Sequence, residues 1–381
     1  MNKAHWRIEE QPRLAAALSA GRIPALDGLR AVAVLLVIFY HFGFSMVPGG
    51  SGVLIFFVLS GFLITWLLLA ENDRYGDVSL AQFYRRRVLR IFPAFYAWWL
   101  LTVLMLLAAG KRLPWPHALS AFCYASNYYN AWFGDPNTAF SHTWSLAIEE
   151  QFYLFWPFVF IRLRHSLRRM TFFLGGVILA VCLWRWLLYF AVSARQSWFY
   201  ASFDTRLDGL MWGCLLAVLL KSGAGGRCRM MLCRHPALMF VTLALFFGSA
   251  CPGHLVFEGY RDAIGLAVEP ALIAALMVQL LNWSESALVR WLEWPALRWL
   301  GRLSYSLYLY QQLTLYSIRK LFAAHAVPVQ LAAAVTVTVL LAACSYYLIE
   351  RPFLRLKQSR GIEPDKSGRL LPQPATAGSR V

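Results

Sequence analysis

Charge is scarce in this sequence, and negative charge is scarcest. Only 14% of the 381 residues are Asp, Glu, Lys or Arg, and 19 carboxylates stand against 36 basic side chains. Soluble domains carry about 25% charged residues. With hydrophobic residues at 59%, both an ordinary soluble domain and a disordered chain are excluded. Metal-type spacing is also lacking. The seven cysteines form no CxxC pair and none stands with histidine at ligand spacing. No metal site is therefore expected, and most of the cysteines read as small hydrophobes in apolar runs. No internal repeat is visible, which removes the usual mark of an inverted-repeat transporter. A cleavable leader is not expected either. Segment 1–23 is polar and basic, but the apolar run behind it is too long for a signal-peptide core and has no small-residue cleavage site.

What the sequence has instead is long apolar runs. A helix crosses the hydrocarbon with about 20 apolar residues. Ten stretches qualify: 25–46, 52–70, 91–109, 143–161, 170–193, 204–220, 236–251, 262–282, 299–318 and 328–349. The net charge of +17 would suit a nucleic-acid partner, but the basic residues sit in short clusters between the apolar runs. With the N-terminus inside, 27 Lys and Arg fall in inside segments and 6 in outside segments, leaving Arg30, Arg185 and Arg206 within or at the edges of spans. That bias is how membrane orientation is written. The expected fold class is all-α: a polytopic membrane helix bundle of about ten transmembrane helices with both termini cytoplasmic. The expected partner is a lipid bilayer and no nucleic acid. Oligomeric state is not readable, and a homodimer is left open.

Three domains are expected: a cytoplasmic N-terminal segment 1–23, a membrane domain 24–353, and a disordered cytoplasmic tail 354–381 that is rich in Pro, Ser, Gly and Lys. The longest outside loop, 110–142, is rich in aromatic residues and Asn. It is too apolar for a free linker and is expected to pack on the bilayer or re-enter the bundle.

Ionisable residues inside spans are costly, so each is a functional candidate. Arg30 and His41 are 11 residues apart, which is three helical turns plus about 20°, so they share one face about 16 Å apart. That face offers a cation at one end and a titratable base at the other. The plainer readings are an Arg30 that snorkels or pairs with Asp27, and a His41 that is simply an interfacial aromatic. Arg85, Arg86, Arg87 and Arg90 precede the third span. Arg86, Arg87 and Arg90 share a helix face suited to phosphate oxygens, or serve only as a topology anchor. His142, Ser145 and Glu149 fall on one stripe at the start of the fourth span, where helix capping is the bland alternative. Arg206 stands between Asp204 and Asp208; either could satisfy it in a structural ion cluster, and a functional site is the equally open alternative. Ser60-Gly61 reads as a close helix contact; a serine nucleophile there lacks an obvious neighbouring base.

Taken in order, these motifs resemble acyltransferase family 3, integral-membrane O-acyltransferases with about ten helices. The resemblance covers about 24–353. It runs from Asp27-Gly28-Leu29-Arg30 and the Arg-x10-His pattern through Phe56-Phe57-Val58-Leu59-Ser60-Gly61-Phe62-Leu63 and Arg87-Val88-Leu89-Arg90. It continues through His142-Thr143-Trp144-Ser145 and Glu149-Glu150-Gln151-Phe152-Tyr153 to Arg206-Leu207-Asp208-Gly209, Ser304-Tyr305-Ser306-Leu307-Tyr308 and Glu350-Arg351-Pro352. Members often carry His where this chain has Gln311, and Gln cannot take up a proton near neutral pH. Some members also carry an appended extracytoplasmic hydrolase-like domain, for which no counterpart is seen here.

The resemblance implies a cytoplasmic acyl-CoA donor, most often acetyl-CoA, and an acceptor hydroxyl on an exported glycan, lipid-linked saccharide or glycolipid. It also leans toward the bacterial inner membrane. On that reading Arg86, Arg87 and Arg90 hold the donor's phosphates, and Arg30 holds the pantetheine or polarises the thioester. His41 is the general base, Glu149 orients it, and His142 is an outer backup. The rival classes are a transporter, an acyl-group translocator serving a partner enzyme, and a membrane scaffold.

Overall fold

The computed structural model describes residues 23–224, 226–250, 259–358, 362–364 and 370–372. Segment 1–22 and Cys251 lie outside the described residues. In chain order the helices are α1 (Pro24–Phe42), α2 (Gly49–Tyr75), α3 (Leu80–Ala108), α4 (Trp115–Phe122), α5 (Ser126–Phe133), α6 (Trp144–Leu163), α7 (Leu167–Leu187) and α8 (Gln196–Ala201). They continue as α9 (Phe203–Ser222), α10 (Gly226–Leu232), α11 (Ala237–Ala250), α12 (Leu266–Asn282), α13 (Ala287–Arg290), α14 (Pro295–Leu321), α15 (Val327–Ser345) and α16 (Arg351–Gln358). Three-residue strands β1 (Ile362–Pro364) and β2 (Leu370–Pro372) pair antiparallel.

Every one of the ten expected spans coincides with a helix. Among the described residues, six helical runs are long and apolar enough to cross a membrane: Pro24–Phe42, Gly49–Tyr75, Leu80–Ala108, Leu167–Val192, Arg261–Asn282 and Val327–Leu356. Two boundaries move. The Arg cluster is the first part of α3 itself, because Ser79 caps that helix by accepting from the Gln82 amide. The tail expected to begin at 354 instead continues as helix through Gln358.

The described residues fall into two compact units, one from Met1–Val78 and Pro114–Ser304, the other from Ser79–Leu113 and Tyr305–Val381. In the first unit the apolar surface is sorted by position. Two-thirds of the apolar window of α2 is buried, against 28% for Leu167–Val192, which leaves Phe172, Leu179, Leu183 and Phe190 exposed. An apolar belt of that kind suits hydrocarbon rather than water.

Helix directions follow from the contacts. α1 and α2 are antiparallel: Gly49 packs on Tyr40, and Gly52 packs on Val37 and Ala33. α2 and α6 are parallel, with Phe57 against Trp144 near one end and Asp77 ion-paired to Arg164 at the other. α2 and α9 are parallel too, from Gly209 at Phe57 to Lys221 at Asp73. α14 runs parallel to α1, with Gly301 on Asp27 and Ser304 on Arg30. The α2–α9 seam is tight. A methyl at Gly61 would lie 1.9 Å from the Leu210 carbonyl oxygen, and one at Gly213 2.0 Å from that of Val58. No residue larger than glycine fits there without moving backbone.

Loop 110–142 folds as α4 and α5. Gln151 of α6 donates to the Tyr124 carbonyl at 3.0 Å and to Asn127 Oδ1 at 2.9 Å. His117 is buried beneath it, hydrogen-bonded to Thr138 at 2.8 Å, and burial pushes its imidazole down to about 4.

In the second unit, Tyr305 Oη donates to the Ile91 carbonyl at 3.1 Å. Ser306 donates to the buried Glu350 at 2.5 Å, and the Ser345 hydroxyl lies 3.0 Å from the Ser306 oxygen. Arg85 reaches the Leu356 carbonyl at 3.5 Å, which ties α3 to α16.

Candidate functional site

Ionisable and hydroxyl side chains gather inside the helix core of the first unit. Arg30, half-buried on α1, donates from Nε to Ser304 Oγ at 3.2 Å. His41 lies in the last turn of the same helix, is exposed, and has its ring edge-on to Tyr40. Ser60 donates to Glu149 Oε1 at 2.5 Å. The serine that lacked a visible base in sequence therefore has a carboxylate from a residue 89 positions away. Both residues are half-buried. Their pair lies 11 residues along α2 from Gly49, about 16 Å from the Tyr40 corner. The carboxylate of Glu149 thus has Ser60 as a partner across α2 and α6. His142 is buried in the 3-10 turn Ser141–Thr143 before α6, and Ser145 Oγ donates to its carbonyl at 3.4 Å.

For Arg206 the local ion cluster is not what forms. Neither flanking carboxylate holds it. Asp208 binds Arg185 at 2.6 Å, and Arg185 also donates to the Thr205 carbonyl at 2.8 Å. Asp204 accepts from Trp184 at 2.6 Å, from Trp198 at 3.1 Å and from Ser202. Arg206 is 1% exposed. Its guanidinium carbon lies 5.9, 5.5 and 5.7 Å from the ring centres of Phe57, Trp144 and Tyr200. Among the described residues none of its three guanidinium nitrogens has a hydrogen-bond partner. The i±2 spacing misled here because residues two apart on a helix point to different sides. Arg185 on α7 was in the right place to take Asp208.

Beside this cage, Glu269 is fully buried on α12, accepts from Ser51 at 2.7 Å and lies 3.5 Å from Arg261 Nε. Sequence reading did not single out Glu269, although a carboxylate one residue before Pro270 inside an apolar run was a usable signal.

In the second unit, Arg86, Arg87 and Arg90 are half-buried on α3. Arg86 donates to Gln82 at 3.5 Å, and Arg87 lies over the Phe83 ring. Gln311 is fully buried on α14, and neither end of its amide has a hydrogen-bond partner among the described residues.

A core of apolar helices carrying half-buried Arg, Ser and Glu, wrapped by lipid-facing apolar surface, defines a multi-pass integral membrane protein with a polar interior. The acyltransferase 3 family model, described as an acyltransferase domain, matches residues 23–348. The chain belongs to that family. A Staphylococcus aureus (strain COL) protein named provisionally as an O-acetyltransferase is 31% identical over 87% of this chain and 57% of its own length. Bacillus subtilis (strain 168) YrhL, named provisionally as a peptidoglycan O-acetyltransferase, is 32% identical over 87% of this chain and 54% of its own. The peptidoglycan O-acetyltransferase OatA of Listeria monocytogenes is 32% identical over 76% of this chain and 48% of its own. The chain thus spans about half the length of the curated relatives it matches. No solved structure matches it.

Proposed function

We propose that the chain is a membrane O-acetyltransferase that moves an acetyl group from cytoplasmic acetyl-CoA to a hydroxyl of an exported saccharide, peptidoglycan being the first candidate from the names of its relatives. The observation that carries this reading is the Ser60–Glu149 contact. It sets a half-buried carboxylate against a hydroxyl between two apolar helices of an acyltransferase-family chain, and an ionisable group in such a span is a functional candidate. The donor's phosphates fall to Arg86, Arg87 and Arg90, whose forks match phosphate geometry. Arg30 is assigned to the donor's thioester end and His41 to the acceptor hydroxyl as general base, with His142 behind it. Glu149 is assigned to proton handling with Ser60. The bilayer is taken as the bacterial inner membrane, with ten spans and cytoplasmic ends. Helix directions support that topology. α1 and α14 are the first and ninth spans and run parallel, α2, α6 and α9 are the second, fourth and sixth and run parallel, and α1 and α2 oppose.

The test is release of free thiol from acetyl-CoA by the purified protein in detergent with soluble peptidoglycan fragments, wild type beside His41→Ala. Release that needs both acceptor and His41 supports the reading; release unchanged in His41→Ala removes that residue from it. A second reading is acyl translocation for a partner enzyme. Acetyl uptake onto the protein without any acceptor would distinguish it.

A further inference from the structure

We propose that Arg206 holds the carbonyl oxygen of the acyl group during transfer. This rests on the acyltransferase reading above and adds a residue to it. A guanidinium has five N–H donors and no way to become neutral near physiological pH. Here it is 1% exposed, ringed by Phe57, Trp144 and Tyr200, and without a hydrogen-bond acceptor for Nε, Nη1 or Nη2 among the described residues. Cation–π attraction keeps the charge in place, but the rings take up none of the N–H donors in the way an oxygen does. The residue is therefore preset to donate to an oxygen that arrives with a ligand.

The surroundings select the kind of oxygen. Arg185, Arg206 and Arg261 stand within a group that also holds Asp204, Asp208, Asp262 and Glu269. A carboxylate or phosphate entering there would meet a neighbourhood with no excess of positive charge. A sugar ring needs an open stacking face, and Arg206 is closed in. A neutral acyl carbonyl is small, accepts hydrogen bonds, and gains negative charge only as it reacts.

The position also fits. Phe57 and Ser60 are three residues apart on α2, and Trp144 and Glu149 are five apart on α6. These steps correspond to about 5 and 8 Å of rise. The cage thus lies one to two turns from the Ser60–Glu149 pair, on the side toward the His41 end of the unit. In the transfer step the acceptor hydroxyl oxygen bonds to the acyl carbon and the C–S bond breaks. The hydroxyl proton passes to the base, His41 in the reading above, and on to the departing thiolate, which leaves as free thiol. Between those events the carbonyl oxygen carries the negative charge, and a preset cation in a water-poor site stabilises it there.

The experiment uses the full chain in detergent, wild type beside Arg206→Met and Arg206→Lys, with acetyl-CoA and with the more electrophilic fluoroacetyl-CoA as donors. Met is expected to fold with an unchanged elution profile, because it fills an aromatic cage without a charge. Donor affinity, measured with labelled CoA, should stay within about twofold, while kcat with acetyl-CoA falls about a hundredfold or more. The deficit should shrink about tenfold with fluoroacetyl-CoA, since that carbonyl needs less polarisation, and Lys should recover part of the rate. Equal losses with both donors would reduce Arg206 to a structural residue, and wild-type rates in Arg206→Met would remove it from the reaction. If Met does not fold, the same donor comparison in Arg206→Lys decides between these outcomes. Wild-type protein that releases no thiol from either donor would instead overturn the acyltransferase reading itself.

Discussion

Two fully buried arginines in the first unit meet opposite fates. Arg185 is 0% exposed and bound to Asp208, the Thr205 carbonyl and the Cys182 sulfur. Arg206, on the same helix as Thr205 and Asp208, is 1% exposed and, among the described residues, held by rings without a hydrogen bond. The first is a closed ion pair in which each charge answers the other, so it can be kept for architecture alone. The second retains donors without a hydrogen-bond partner among the described residues, and these are the donors that the proposal above gives to a ligand. Burial alone therefore does not separate the two; the state of their hydrogen bonds does.

The largest break in the comparison comes from Asp208→Ala. It strands Arg185 in the core and should cost about 3–5 kcal/mol, seen as loss of a monodisperse peak in detergent. Arg206→Met should cost far less, because no partner is stranded; an equal loss in both variants would erase the distinction drawn here. Next comes the α2–α9 seam, on the helix that carries Arg206. Gly61→Ala puts a methyl 1.9 Å from the Leu210 carbonyl, and the overpacking should cost about 1–3 kcal/mol in thermal unfolding. Glu149→Gln keeps a hydrogen-bonding partner for Ser60 but removes its basicity. It should leave the melting temperature near wild type and reduce acetyl transfer about a hundredfold.

Acid should act on the loop rather than on the core charges. His117 binds its proton at about 4 in the fold against 6.5 when free, because burial disfavours the imidazolium. The unfolded loop then takes up a proton that the folded one does not. Stability is complete above 6.5 and falls as pH drops toward 4. His117→Asn should flatten that slope in a pH series of melting curves. The smallest effect is expected at Gly175 on α7, where an added methyl meets nothing within 4 Å. Gly175→Ala should be neutral or stabilise by up to about 1 kcal/mol, in contrast to the same change at Gly61.

Much of the helical fold was legible because its rule is local. Twenty apolar residues in a row need no partner to be recognised, and each of the ten stretches is found as helix. The same-chain motif residues were legible as candidates, since a charge in an apolar run stands out wherever it folds. Their pairings were not. Asp208 was read beside Arg206 because two residues is a short distance in sequence, yet the helix turns them apart and α7 brings Arg185 instead. Ser60 was read as lacking a neighbouring base, while the α2–α6 register brings it Glu149. Gln151 was read as part of a motif and proves to be the tie that holds loop 110–142 to α6.

By itself, then, the sequence determined the solvent. Composition, run length and the Lys and Arg bias specify a helical membrane protein, because the cost of placing polar groups in hydrocarbon is paid residue by residue. Only the tertiary structure decided which polar groups answer one another. That depends on helix register and on glycine seams that bring backbones within van der Waals contact, and both link residues up to 274 positions apart, as Arg30 and Ser304 are.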